Sequence, residues 1–293
     1  MRVLASLLAL VLVAPTAQAW MAGPDRPHHA DLAEVALAAL PPELRALLET
    51  HREAFRRGAL DPDGITDPSK EVNTFYHTWE PSSEGGGGVY RVELSLHEAT
   101  MALRENRSGE DVAYQMGFLT HFVMDLAVPF HTGDGLYDHA WHEPYEQAAY
   151  DHRHEYEVTL EREPREVHDP SAHVKELAER SAAMAAELVA ALDASGGAWT
   201  PEAREITRRA ASLGAQATAD LLYTAWVRAD PSRPAPTFDA NMPIPREPED
   251  VGLSIAELRK HHPWLLVSFF AALAALALGA VVMLLGRKRR PSG

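Results

Sequence analysis

The chain has 293 residues, 46% of them hydrophobic, with 42 Asp+Glu against 27 Lys+Arg and no cysteine. The missing cysteines exclude a disulfide framework, so packing or metal must stabilise the fold. The acidic excess disfavours polyanionic partners, and no specific nucleic-acid partner is expected.

Residues 1–19 have the order of a secretory signal peptide. Arg2 supplies the positive start, Leu4 to Ala14 the apolar core, and Ala17-Gln18-Ala19 the cleavage site, which leaves Trp20 as the mature N-terminus. The domain expected to carry the function covers 20–229. Its apolar periodicity predicts helices around Ala30–Leu40, Pro42–Arg57, Tyr90–Glu105, Asp111–Leu126, Trp141–Glu161, Ala172–Leu192 and Pro201–Val227. Nothing alternates with a period of two, so the expected fold class is all-α. Gly58–Lys70, Pro81–Gly88 and Thr132–His139 read as loops. A proline-rich linker is expected over 230–262, with a short juxtamembrane helix at Ser254–Lys260. The uncharged run Trp264–Gly286 lies within an expected transmembrane helix at 263–286, and the basic tail 287–293 should stay cytoplasmic. The expected location is the cell membrane, single-pass, with the domain on the exported face. Five of the 27 Lys+Arg lie in the two terminal segments, which leaves the exported part near −20.

The densest chemistry lies between Thr120 and Glu146. His121 and Asp125 are four residues apart, as are His142 and Glu146, so each pair shares one helix face and can aim two ligands at one cation. Pro129 ends the first of these helices and His131 follows it. A lone histidine on an apolar face is ordinarily a hydrogen-bonded core residue, and a His/Glu pair is ordinarily surface pairing. Asp125, however, sits in an apolar run, and an ionised carboxylate there costs several kcal/mol unless a cation or strong hydrogen bonds compensate. Imidazole and carboxylate together suit zinc.

HxxxD, xPxH and HxxxE in this order resemble the zinc-dependent phospholipase C family. Three upstream features add to the likeness: Trp20 at the mature N-terminus, His29 at the head of the first helix, and Asp63 fourteen residues before His77. The resemblance covers about Trp20 to Leu160 and implies an all-helical domain around three zinc ions. It implies one ion on Asp63, His77, His121 and Asp125, and a second on His131, His142 and Glu146. The third would lie on His29, on Asp125 as a bridge, and on the amine and carbonyl of Trp20. His28 competes with His29 and Asp61 with Asp63; the resemblance favours His29, because Leu32, Ala36 and Leu37 then fall where the family's first helix has apolar residues, and the fourteen-residue spacing to His77 favours Asp63. His139, His152, His154 and Glu143 read as supporting or surface residues.

The implied activity is hydrolysis of phosphodiesters, with phospholipids as substrate and Asp63 as general base. Fungal and plant nucleases of the same superfamily share the trinuclear site, but their last motif is HxxxD, where His142–Glu146 is HxxxE. Nuclease or nucleotidase activity is the alternative, and a non-catalytic zinc-stabilised binding domain a third reading. Gly64 and Thr74 stand where the family has its choline-binding aromatics, so the resemblance does not extend to a choline pocket.

Overall fold

The computed structural model describes residues 22–23, 26–64, 75–81 and 87–234. The signal peptide, Trp20, Thr74, the rest of the linker, the transmembrane segment and the tail lie outside the described residues. The chain divides into two units, Met1–Pro245 and Arg246–Gly293, and every described residue belongs to the first.

A two-residue hairpin, β1 (Ala22–Gly23) with antiparallel β2 (Arg26–Pro27), leads directly into α1 (His28–Leu37). This pair of strands departs from the expected absence of strand structure; everything else regular among the described residues is helical. Next come α2 (Pro42–Thr50), α3 (Arg52–Gly64), α4 (Gly88–Arg104), α5 (Gly109–Asp125), α6 (His142–Asp151), α7 (Pro170–Ser195) and α8 (Pro201–Arg228). A 3₁₀ turn, Pro129–His131, follows α5. No helix among the described residues is long and apolar enough to cross a membrane.

The central element is α5. Ser108 caps it by accepting from the Asp111 amide at 3.2 Å, and Glu110 and Asp111 place negative charge in its first turn. It packs against α1, α3, α4 and α8, and its C-terminal half from Leu119 to Asp125 is wholly buried. A carboxylate and an imidazole in its last turn are thereby carried into the interior.

Three expectations are corrected. Pro42–Arg57 is not one helix: His51, at φ −111° and ψ 36°, breaks it into α2 and α3. The loop expected from Gly58 is instead helix as far as Gly64. Gly58 is a poor helix former, but a Cβ there would meet the Tyr114 carbonyl oxygen at 2.1 Å, and one on Gly117 would meet that of Phe55 at 1.9 Å. The two glycines let the α3 and α5 backbones touch, and that packing overrides propensity. The third correction is α6, which ends at Asp151, short of Glu161. Residues 156–168 run extended along α8, whose side chains at four-residue intervals take their amides: Ser212 from Thr159, Gln216 from Glu161 and Arg162, Asp220 from Arg165, and Thr224 from Val167. Arg162 forks onto buried Asp220 at 2.7 and 2.5 Å. The strap satisfies its backbone without being helix.

Asp230–Pro234 are still held to the body, with Arg104 donating to the carbonyls of Asp230, Arg233 and Pro234.

Candidate metal centre

The i, i+4 spacing on α5 sets His121 and Asp125 on one buried face. Four imidazoles surround the Asp125 carboxylate. Its Oδ1 lies 3.0 Å from His29 Nε2 and 3.4 Å from His131 Nδ1; its Oδ2 lies 2.5 Å from His77 Nδ1 and 3.2 Å from His121 Nε2. These come from four places in the chain: the head of α1, a helical turn at 75–77, α5, and the 3₁₀ turn. The Trp79 amide donates to the His131 carbonyl at 3.0 Å and so ties the second of these to the fourth.

Asp63, in the last turn of α3, brings its Oδ1 to 3.4 Å from His121 Nε2 and 3.8 Å from His77 Nδ1. On the other side, Glu146 Oε1 lies 2.9 Å from His142 Nε2 and 3.2 Å from His131 Nε2, and the two ring nitrogens are 3.0 Å apart. Three groups therefore present converging donor atoms: His29, His121 and Asp125; Asp63, His77 and His121; His131, His142 and Glu146. His121 is shared by the first two groups and His131 bridges toward Asp125, sharing that the sequence assigned to Asp125 alone. Trp20 lies outside the described residues.

Two backbone carbonyls orient the rings, and sequence reasoning missed both. His121 Nδ1–H donates to the Ala59 carbonyl at 3.0 Å, and His142 Nδ1–H to that of Tyr137 at 2.6 Å. With the proton on Nδ1, Nε2 turns its lone pair to the cluster, as a metal-binding imidazole requires. The Ala59 contact exists because α3 and α5 touch at Gly58 and Gly117. No sequence signal marks a carbonyl, though a glycine on each of two apolar helices hints at a close crossing.

The alternatives separate cleanly in space. His28 is buried but belongs to none of the three groups, its Nε2 lying 3.0 Å from the Tyr156 hydroxyl. Asp61 belongs to none of the three groups and lies near Tyr114, whose phenol it helps to push up. His139 accepts from the Trp141 amide, His152 pairs with Glu155 and stacks on Trp199, and His154 and Glu143 are exposed.

The donors fit zinc. Ligands on bonds of about 2.0–2.1 Å stand about 3.3 Å apart along a tetrahedron's edge, close to the spacings given above. Asp63 Oδ2 and Glu146 Oε2 are buried with no hydrogen-bond partner, an arrangement that costs free energy unless a cation takes the lone pairs. Without a cation the cluster must retain protons. Burial pushes His121 down, but Asp125 and Asp63 outweigh it and raise the ring to about 10. Burial likewise opposes His131, which Asp125 and Glu146 raise to about 9. Burial would raise both carboxyls; the charges of His121 and His77 instead hold Asp125 well below its ordinary range, and His142 and His131 hold Glu146 at about 2. Burial, with the charge of His121, lowers His29; burial, with that of His29, lowers His28 to about 3.

No known family's profile matches the chain, and no curated protein matches its sequence. Solved structures do match in fold. The alpha toxin from Clostridium absonum superposes with a TM-score of 0.57 at 14% identity, covering 71% of this chain and 66% of the toxin. The alpha toxin of an avian strain of Clostridium perfringens gives 0.57 and 14%, covering 67% and 62%. The chain thus spans somewhat under two thirds of either toxin. The described body is a helical domain of the alpha-toxin fold with a buried histidine–carboxylate centre. That fold is the one implied by the resemblance to the zinc-dependent phospholipases C.

Proposed function

We propose that this chain is a zinc-dependent phosphodiester hydrolase of the phospholipase C type, acting on phospholipids. The observation that carries the reading is the Asp125 carboxylate ringed by four imidazoles, with further carboxylates at Asp63 and Glu146. Such a constellation in a dry interior has no structural purpose that hydrophobic packing would not serve better. The fold shared with the clostridial alpha toxins and the HxxxE form of the last motif point the same way.

Bound zinc ions would supply Lewis acidity, neutralising phosphoryl oxygens and lowering the pKa of water. The residues present have distinct tasks. Asp125 joins the two sides of the centre through its two oxygens. Ala59 and Tyr137 hold the His121 and His142 rings in register through their carbonyls. Asp63 is the candidate base for the proton of the attacking water. Three ions are proposed, the third completed by the Trp20 amine and carbonyl. Export and a single C-terminal anchor belong to the same proposal and rest on the sequence at 1–19 and 263–286; they would put the centre beside a lipid surface.

The test is a zinc count on the purified chain with a panel of substrates. Zinc-dependent release of diacylglycerol from liposomes is expected. A protein that holds zinc but leaves phospholipids and generic phosphodiesters intact would exclude catalysis, and cleavage of single-stranded nucleic acid alone would move it to the nucleases.

A further inference from the structure

Arg91 lies in the second turn of α4 and is partly buried. Its guanidinium carbon sits 4.8 Å from the centre of the Phe118 ring and 5.1 Å from that of Phe122. Burial lowers its affinity for its proton, and Glu98, seven residues on, acts on it only through space. Among the described residues no carboxylate or carbonyl accepts from its side chain. Arg57, the next arginine along the same aromatic row, sits over Tyr114 at 5.3 Å but pairs with Glu110 at 3.4 Å. Among the described residues Arg91 has no such pair.

A stacked guanidinium is occupied on its face, while its five N–H donors lie in the plane and point outward. Leaving them unsatisfied is costly in a partly dry site, and the partner they match is a planar or tetrahedral group of anionic oxygens. The position says which anion. Phe122, which carries Arg91 on its ring, also touches the imidazoles of His77 and His121, each at 5.2 Å between ring centres. The guanidinium and two imidazoles of the metal centre thus pack on one side chain.

We infer that Arg91 is a specificity-determining residue that takes a second anionic group of the substrate, a phosphate or carboxylate in the headgroup, while the metal centre takes the scissile phosphate. The inference rests on the proposed phosphodiesterase reading and narrows it to headgroups that carry their own negative charge. It agrees with the lack of choline-type aromatics at Gly64 and Thr74.

The test uses the full-length, zinc-loaded chain in detergent and titrates glycerol 1-phosphate and glycerol 1,3-bisphosphate by calorimetry. The wild-type chain should bind the bisphosphate at least about tenfold more tightly. Arg91→Met keeps the stacking but lacks donors, and should bring the ratio to within about twofold. Arg91→Lys keeps charge without the fork and should fall between them. A wild-type ratio near one, or a ratio that survives in Arg91→Met, overturns the inference. Should Arg91→Met not fold, Arg91→Lys decides: a ratio unchanged from wild type overturns it, and a loss of about threefold or more supports it. Hydrolysis of phosphatidylcholine and of phosphatidylinositol 4-phosphate is scored separately. Hydrolysis without an Arg91-dependent binding ratio sinks this inference alone. The ratio without hydrolysis of any phosphodiester sinks the enzymatic reading and leaves the anion site standing.

Discussion

Asp125 offers two oxygens to four ring nitrogens, and the other two carboxylates add further donors to the same dry volume, so the metal-free centre is a store of protons. Because His121 and His131 are raised to about 10 and about 9, the metal-free folded state holds more protons than the unfolded chain above the ordinary histidine pKa of about 6.5. Their contribution to stability is full below that pKa and is lost as pH rises through 9 to 10. His28 and His29 are lowered, so below about 6.5 the unfolded chain binds more protons and stability falls as pH drops. The metal-free protein should therefore show its highest thermal midpoint near pH 6.5, and the zinc-loaded protein should lose the decline on the alkaline side. Zinc must displace those protons. Uptake at pH 7.5 should release protons, seen as a dependence of calorimetric heat on buffer ionisation, and apparent affinity should climb toward pH 9. A heat independent of buffer would show that the rings hold no protons. Asp125→Asn removes the charge that contacts His29, His77 and His121 in the first two donor groups; zinc content should fall by more than half, with the His131, His142 and Glu146 group keeping its ion.

The crossings of α3, α4 and α8 on α5 set the positions of Asp63, His121 and Asp125. Gly117→Ala puts a methyl 1.9 Å from the Phe55 carbonyl oxygen, on backbone that has no room to yield. The crossing must open, at about 2–3 kcal/mol, and Ala59 would lose its hold on His121. Reduced zinc affinity together with a lower unfolding midpoint is expected; a change in stability alone would mean that the carbonyl does not orient the ring. On the far side, Asp220→Ala strips the Arg162 fork and an amide partner from the strap at 156–168, at about 3 kcal/mol. Amide exchange over those residues should rise ahead of α8 itself. Sequence periodicity located α5, α7 and α8 because their apolar positions repeat without interruption, and the i, i+4 pairs on α5 and α6 are readable from spacing alone. Asp63 and His77 were reachable only through the family's order of motifs, since nothing local marks either one. The strap and the length of α3 were not legible. Each depends on a partner distant in sequence, a ladder of α8 side chains in one case and a helix lacking a Cβ in the other.

At the scale of the whole molecule, the proposed third ion would depend on where the mature chain begins. His121 is common to two donor groups; if it serves one cation with Asp63 and His77, His29 and Asp125 are the donors left for another. A zinc ion in a tetrahedral site needs four ligands. A free α-amine with a pKa of about 8 can yield its proton to zinc near neutral pH and close a chelate ring with its own carbonyl. The β1–β2 hairpin leads directly from residue 22 to His28 and His29, so a terminus at Trp20 would begin only two residues before an ordered element that ends at the centre. A chain starting at Trp20 should hold one more zinc than the same chain with its cleavage site blocked or with one extra residue ahead of Trp20. The extra ion should be the first lost as pH falls below about 7, because the amine regains its proton before His142 and Glu146 release their metal. Equal zinc content in the cleaved and extended chains would remove Trp20 from the centre and assign the remaining positions to water or substrate.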